Sequence, residues 1–196
     1  MKFFKVNDTL LLKNFQAFDQ SLLESYFREY KISIQQLNSL RAELKTLRDQ
    51  NKSNSNLYRD RNKSLQIEYN NVFWVELFLK SLSQKSTPMS ESLKQLINNS
   101  YGDIETWKND FYHLAHTRQT WVLTLSYNHT LNCCENIILP LNTSLSPNLT
   151  PLLACYLNNH SYSQQFGLNG TNSFIESYLH HANFALASHI LQKNQN

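Results

Sequence analysis

Between residues 15 and 50, apolar side chains recur at spacings of three and four: Leu22, Leu23, Tyr26, Phe27, Tyr30, Ile34, Leu37, Leu40, Leu44 and Leu47. That period places them on one face of a helix, so the pattern predicts a long amphipathic helix buried along that stripe. The stretch "RDQNKSNSNLYRDRNKS", residues 48–64, is polar and reads as a turn or flexible tip. A second helix is expected from about 64 to 82, through Ile67, Val72, Phe73, Leu77 and Phe78. Together the two make a helical hairpin.

"STPMSESLKQLI", residues 86–97, has the grammar of a new helix start. Thr87 is the expected cap, Pro88 takes the first helical position and Glu91 lies in the first turn. A further helix is expected over about 103–117, through Trp107, Phe111 and Leu114. Three strand-like runs follow: "WVLTLSY" (121–127), "LNCCENIIL" (131–139) and "LLACYL" (152–157). A last helix, "NSFIESYLHHANFALASHIL", closes the chain. The order predicts an α+β fold: a helical hairpin lobe over residues 1–84, then a lobe over 85–196 with a three-stranded antiparallel sheet flanked by helices.

The scarcity of Gly (3) and Pro (4) supports long helices with few connections. A chain of 196 residues with 41% apolar residues can bury one compact core, or two small lobes that share one. No apolar run approaches the ~20 residues that cross a bilayer, so no membrane contact is expected. Lys5 and Asp8 interrupt the apolar start "MKFFKVNDTLLLKNFQ", so no secretory leader is expected there. Glycosylation triplets, at Asn98, Asn128, Asn142, Asn148, Asn159 and Asn169 among others, then read as the chance product of an Asn-rich chain. Cys133, Cys134 and Cys155 form neither a disulfide framework nor a Cys-x-x-Cys knuckle, which suits a reducing compartment.

The net charge is +3, but residues 41–63 alone carry +4: Arg41, Lys45, Arg48, Lys52, Arg59, Arg61 and Lys63 against Glu43, Asp49 and Asp60. Within that tip, Arg48, Lys52, Arg59, Arg61 and Lys63 are candidates for contact with RNA phosphates or an acidic neighbour. A solvated helix end explains the same residues. His113 with His116, and His180 with His181, form two close pairs that could begin a zinc site or simply pack as polar groups.

Several motifs, in order, resemble those of the iron/manganese superoxide dismutases. "YNNVFWVEL", residues 69–77, is similar to the second-helix motif N-H-x-x-F-W-x-x-L. "SLKQLINNSYGDIETWKNDF", 92–111, resembles S-L-x-x-x-I…F-G-S-x-x-x-F-K-x-x-F, and Trp121 stands where the G-S-G-W segment enters the first strand. "PLLACYLNNHSY", 151–162, resembles P-L-L-x-x-D-V-W-E-H-A-Y, and "ESYFREYKISIQQLNSL", 24–40, can be laid on the first helix by its Leu37-Asn38 ending. The resemblance covers about residues 20 to 185.

The resemblance implies a metal held by three His, one Asp and a solvent molecule. The corresponding positions here are Ser25, Asn70, Tyr156 and His160, so only His160 keeps its ligand. Iron or manganese needs several imidazole or carboxylate donors. Ser and Asn are weak neutral donors, and a phenol is protonated near neutral pH. The acidic residue that reaches across the family's dimer interface is Asn159, the preceding Trp is Asn158, and the small residues before the strand Trp are Arg118, Gln119 and Thr120. No cofactor and no enzymatic activity are therefore expected.

A fold that has lost its site but kept its core is retained for its surface. The resemblance extends to the metal-free dismutase-like proteins of the mitochondrial ribosome's small subunit. It implies a structural component of that subunit in the mitochondrial matrix, with protein contacts and possible rRNA contact. It also implies a second dismutase-like protein as partner, through a dimer-like interface at Asn159, His160 and Tyr162. The rival readings are a divergent dismutase or metallohydrolase with substituted ligands, or a scaffold of another mitochondrial complex.

Overall fold

The computed structural model describes residues 2–116 and 120–195, without the side chains of residues 120 and 159–161. A short 3-10 turn at Asp8–Leu10 precedes helix α1, Gln20–Asp49, and helix α2, Asn56–Lys80. Helices α3 (Glu91–Tyr101) and α4 (Ile104–Ala115) lead into strands β1 (Thr120–Asn128), β2 (Cys133–Pro140) and β3 (Leu149–Asn158). Helices α5 (Asn159–Phe166), α6 (Thr171–His180) and α7 (Phe184–Gln195) complete the chain. The sheet is antiparallel in the order β2-β1-β3, so the α+β architecture is as expected.

The apolar stripe of α1 is buried along its whole length, from Leu22 to Leu47. On α2 the buried face differs from the expected one. Asn70, Val72, Trp74, Val75, Leu77, Phe78 and Leu79 face inward, while Ile67 and Phe73 are 38% and 48% exposed. Phe73 instead lays its ring edge-on against Trp74, with centroids 4.8 Å apart. One hydrophobic cluster runs from the hairpin through Val122, Leu123 and Leu125 of β1 to Leu152–Leu157 of β3 and on to Leu191.

Four sequence expectations are corrected. Residues 48–64 are mostly helical. The turn is confined to residues 50–55, with Asn51 at φ 56°, and Ser55 caps α2 by accepting from Tyr58 N at 3.2 Å. Polarity there marks the exposed faces of two helix ends rather than a break in the helix. Helix α3 begins at Ser90, whose Oγ accepts from Leu93 N at 3.2 Å. Thr87 Oγ1 serves elsewhere, accepting from Ala185 N at 2.7 Å.

The expected final helix is broken in two around Ala182, which bridges to Leu82. Asn183 holds the break: its N–H donates to Ser81 O at 2.8 Å, its Nδ2 to Lys80 O at 3.1 Å, and its Oδ1 accepts from Leu186 N at 3.1 Å. The hairpin thus supplies the partners that a continuous helix would have supplied. Helix α5, finally, occupies Asn159–Phe166, between β3 and the last expected helix, where the sequence pattern placed no element. No helix of the described residues is long and apolar enough to cross a membrane.

Candidate functional site

The four family ligand positions lie on four elements: Ser25 on α1, Asn70 on α2, Tyr156 near the end of β3 and His160 in the first turn of α5. The side chains of Asn159 and His160 lie outside the described residues, as do Arg118 and Gln119 and the side chain of Thr120. Ser25 is half-buried.

Tyr156 is 4% exposed and belongs to the core. Its backbone carbonyl accepts from the phenol of Tyr26, one residue after Ser25, at 2.9 Å. The two rings meet edge-on at 5.8 Å, and Phe78 packs 4.7 Å from Tyr26 and 6.5 Å from Tyr156. Aromatic rings therefore fill the space between α1, α2 and β3. Burial pushes the Tyr156 phenol far above its ordinary range, and the carboxylates of Glu29 and Glu68 push it further the same way. Both effects disfavour the phenolate that an anionic ligand would need.

Asn70 is directed away from a ligand role. Its Nδ2 donates to Asn142 O at 2.8 Å, and Trp74 Nε1, one turn later on α2, donates to Thr143 O at 2.7 Å. The pair fastens the connection between β2 and β3 onto the hairpin. Both bonds tie carbonyls of an otherwise exposed connection to side chains that α2 buries.

Asn158, named above only for its departure from the family, and Glu29, which sequence reasoning missed, complete the region. Asn158, where the family has Trp, donates from Nδ2 to Glu29 Oε1 at 2.5 Å. Glu29 Oε2 is buried with no hydrogen-bond partner among the described residues. Burial raises the Glu29 carboxyl from its ordinary value to about 7, and the Asn158 hydrogen bond opposes that rise. Glu29 lies four residues after Ser25 and three after Tyr26, inside the helical stripe that faces the core. An acid within an otherwise apolar stripe is the signal that would have found it.

These donors do not fit iron or manganese. A hydroxyl, an amide committed to a carbonyl and a phenol held protonated replace two imidazoles and a carboxylate. Among the described residues, no three His, Cys, Asp or Glu groups converge to hold a metal. The His pairs do not converge either. His116 shares its ring nitrogens with Tyr112 O and Asn172 Oδ1, and His113 is exposed. His181 Nδ1 lies 3.0 Å from Ser177 O, and its ring packs on Phe15 and His180.

Tyr162, expected at a dimer-like interface, is 1% exposed and stacks on Phe174 at 5.3 Å, with its hydroxyl 3.1 Å from Thr171 Oγ1. It fixes α5 against α6 rather than presenting a surface. The basic tip is also more divided than expected. Arg61 Nε lies 2.7 Å from Glu43 Oε2, a charge contact without hydrogen-bond geometry, and Arg59 donates to Asn56 Oδ1 at 2.5 Å. Lys52 lies in the turn, Lys63 is exposed on α2, and Arg48 is exposed on α1 with no carboxylate pairing it among the described residues.

No curated protein matches the chain. Residues 89–190, just over half of it, match the model of the iron/manganese superoxide dismutases, C-terminal domain. The matched range carries the sheet, Tyr156 and His160, while the hairpin with Ser25 and Asn70 precedes it. The order of helices, the β2-β1-β3 sheet and this match agree: the chain belongs to the iron/manganese superoxide dismutase family.

Proposed function

We propose that this chain is a non-catalytic member of the family, kept as a structural subunit of the small subunit of the mitochondrial ribosome. The observation that carries the non-catalytic reading is the Tyr156 position. Where the family places a metal-binding carboxylate there is a buried phenol, packed on Tyr26 and Phe78 and held protonated. Dismutation needs a metal that cycles by one electron, and side chains alone do not supply that chemistry.

A ribosomal role is supported by the surface. The hairpin tip keeps a positive balance after its internal ion pairs are counted, because Glu43 and Asp49 neutralise only Arg61 and Lys45. The second contact in this reading is a non-identical dismutase-like protein docked at the start of α5, around Asn159 and His160, with Tyr162 holding that helix in place. Closed dimer symmetry would require Asn159 to suit its own copy, whereas an asymmetric particle makes no such demand.

Sedimentation tests the assignment. The full chain should travel with the small ribosomal subunit after detergent lysis of mitochondria. A free species, or one bound to another complex, contradicts it.

A further inference from the structure

Arg41, on α1, is a half-buried guanidinium whose bonds all go to neutral groups. Its Nη1 donates to Tyr69 Oη at 2.9 Å and its Nη2 to Lys2 O at 3.1 Å. The guanidinium lies over the ring of Phe4, 5.3 Å from the centroid, and Nε is buried without a partner among the described residues. Phe4 is fixed there by two 2.9 Å hydrogen bonds between its backbone and the Asn38 amide. A desolvated cation without a counter-charge is costly, and an anion placed beside it relieves that cost.

The space beside Arg41 is open. A groove of about 260 Å³ between α1 and α2 is lined by Arg41, Leu44, Arg48, Asn62, Leu65 and Tyr69. No carboxylate lines it. The acids of the same stretch of α1 are engaged elsewhere, Glu43 with Arg61 and Asp49 with Lys45. The groove is smaller than the roughly 300–1,000 Å³ of small-molecule pockets, so it suits one group of a larger ligand. Two guanidiniums over an apolar floor match a phosphate, whose oxygens take paired N–H donors. The same end of the hairpin also carries Lys52 in the turn and Arg59 and Lys63, exposed on one face of α2. Unpaired positive charge spread over this end of the hairpin favours a chain of phosphates over a single one.

We propose that this groove seats a backbone phosphate of RNA, with Arg41 and Arg48 as the two donors. The proposal rests on the ribonucleoprotein reading above. The test is binding of the full chain to an RNA duplex of about 16 base pairs, followed by fluorescence anisotropy across a salt series. Arg48→Gln is the main variant, because Arg48 is exposed and its loss leaves the fold intact. Lys94→Gln, on α3, is the charge-matched control.

Arg48→Gln should weaken duplex binding roughly tenfold and lower the slope of log affinity against log salt by about one. Lys94→Gln should leave both unchanged. Equal binding by Arg48→Gln and the native chain overturns the proposal, as does an equal loss in the control. Binding to an acidic or phosphorylated peptide with none to the duplex overturns it in favour of a protein partner. Competition by inorganic phosphate at constant ionic strength, absent in Arg48→Gln, locates a phosphate at the groove. A chain that enters the ribosomal subunit while Arg48→Gln binds duplex normally sinks the groove alone. A chain that binds duplex through Arg48 but never enters the particle sinks the ribosomal assignment alone.

Discussion

Asn158 at the end of β3 donates to Glu29 in the N-terminal third of α1, tying the sheet to the hairpin beside Tyr26 and Tyr156. The carboxylate so held is half-satisfied: Oε1 is bonded and Oε2 is not. Its carboxyl is raised to about 7, so near neutral pH it titrates inside the fold.

The sign of the resulting pH dependence follows from linkage. Between about pH 4.5 and 7 the folded chain holds the Glu29 proton and the unfolded chain has released it. Stability contributed by this group therefore falls as pH rises through that window. Glu29→Gln removes the titration and keeps an oxygen to accept from Asn158. The variant should match the native chain at pH 5 and exceed it at pH 8 by about 1–2 kcal/mol, allowing for solvent screening. Urea unfolding at the two pH values checks this, and a variant less stable at pH 8 would show that the carboxylate has a counter-charge.

Tyr156 should behave as a core aromatic rather than as a vacant ligand. Replacing it with Asp, the residue the family uses, removes packing against Tyr26 and Phe78 and buries a carboxyl near Glu29 and Glu68. The loss should be about 3–5 kcal/mol, as for deletion of a large buried side chain. Combining it with Ser25→His and Asn70→His should yield an unstable chain without dismutase activity. Thermal unfolding and a superoxide assay on the triple variant decide the point.

Asn70 and Trp74 fasten the connection between β2 and β3. Asn70→Ala removes the bond to the exposed Asn142 carbonyl and should cost about 0.5–1.5 kcal/mol. Amide exchange should quicken within residues 141–148 and stay unchanged in α3 and α4. Uniform quickening across the chain would mean that Asn70 acts on global stability rather than on this connection.

Much of the fold was legible in the chain, because periodicity alone located α1, α4 and the three strands to within a few residues. The misplacements share a cause. Ser90 outcompetes Thr87 and Pro88 as the start of α3 because Thr87 is taken by Ala185 N, a contact 98 residues away. The break at Ala182–Asn183 carries no Gly or Pro, and its hydrogen bonds come from Lys80 and Ser81. The onset of α2 at Ser55 was hidden because a helix end exposed on several faces has polar composition. At the site, the motif frame identified Asn70 and Tyr156, but Glu29 could be recognised only as an acid inside an apolar stripe. The division of the basic tip into paired Arg61 and unpaired Arg48 depends on how two helices pack, which local spacing does not encode.

The cap assignment gives a further check. Ser90→Ala should destabilise the chain by about 1 kcal/mol through loss of the bond to Leu93 N. Thr87→Ala should loosen the start of α7 instead, read as faster amide exchange at Ala185. A reversed pattern would restore Thr87 as the cap of α3.

We propose that this chain keeps the dismutase fold without dismutase metal chemistry. Elemental analysis of the full chain, purified after growth with added iron and manganese, tests it most directly. Metal far below one ion per chain and no dismutation of superoxide are expected. Near-stoichiometric iron or manganese, lost together with activity in His160→Ala, would contradict it.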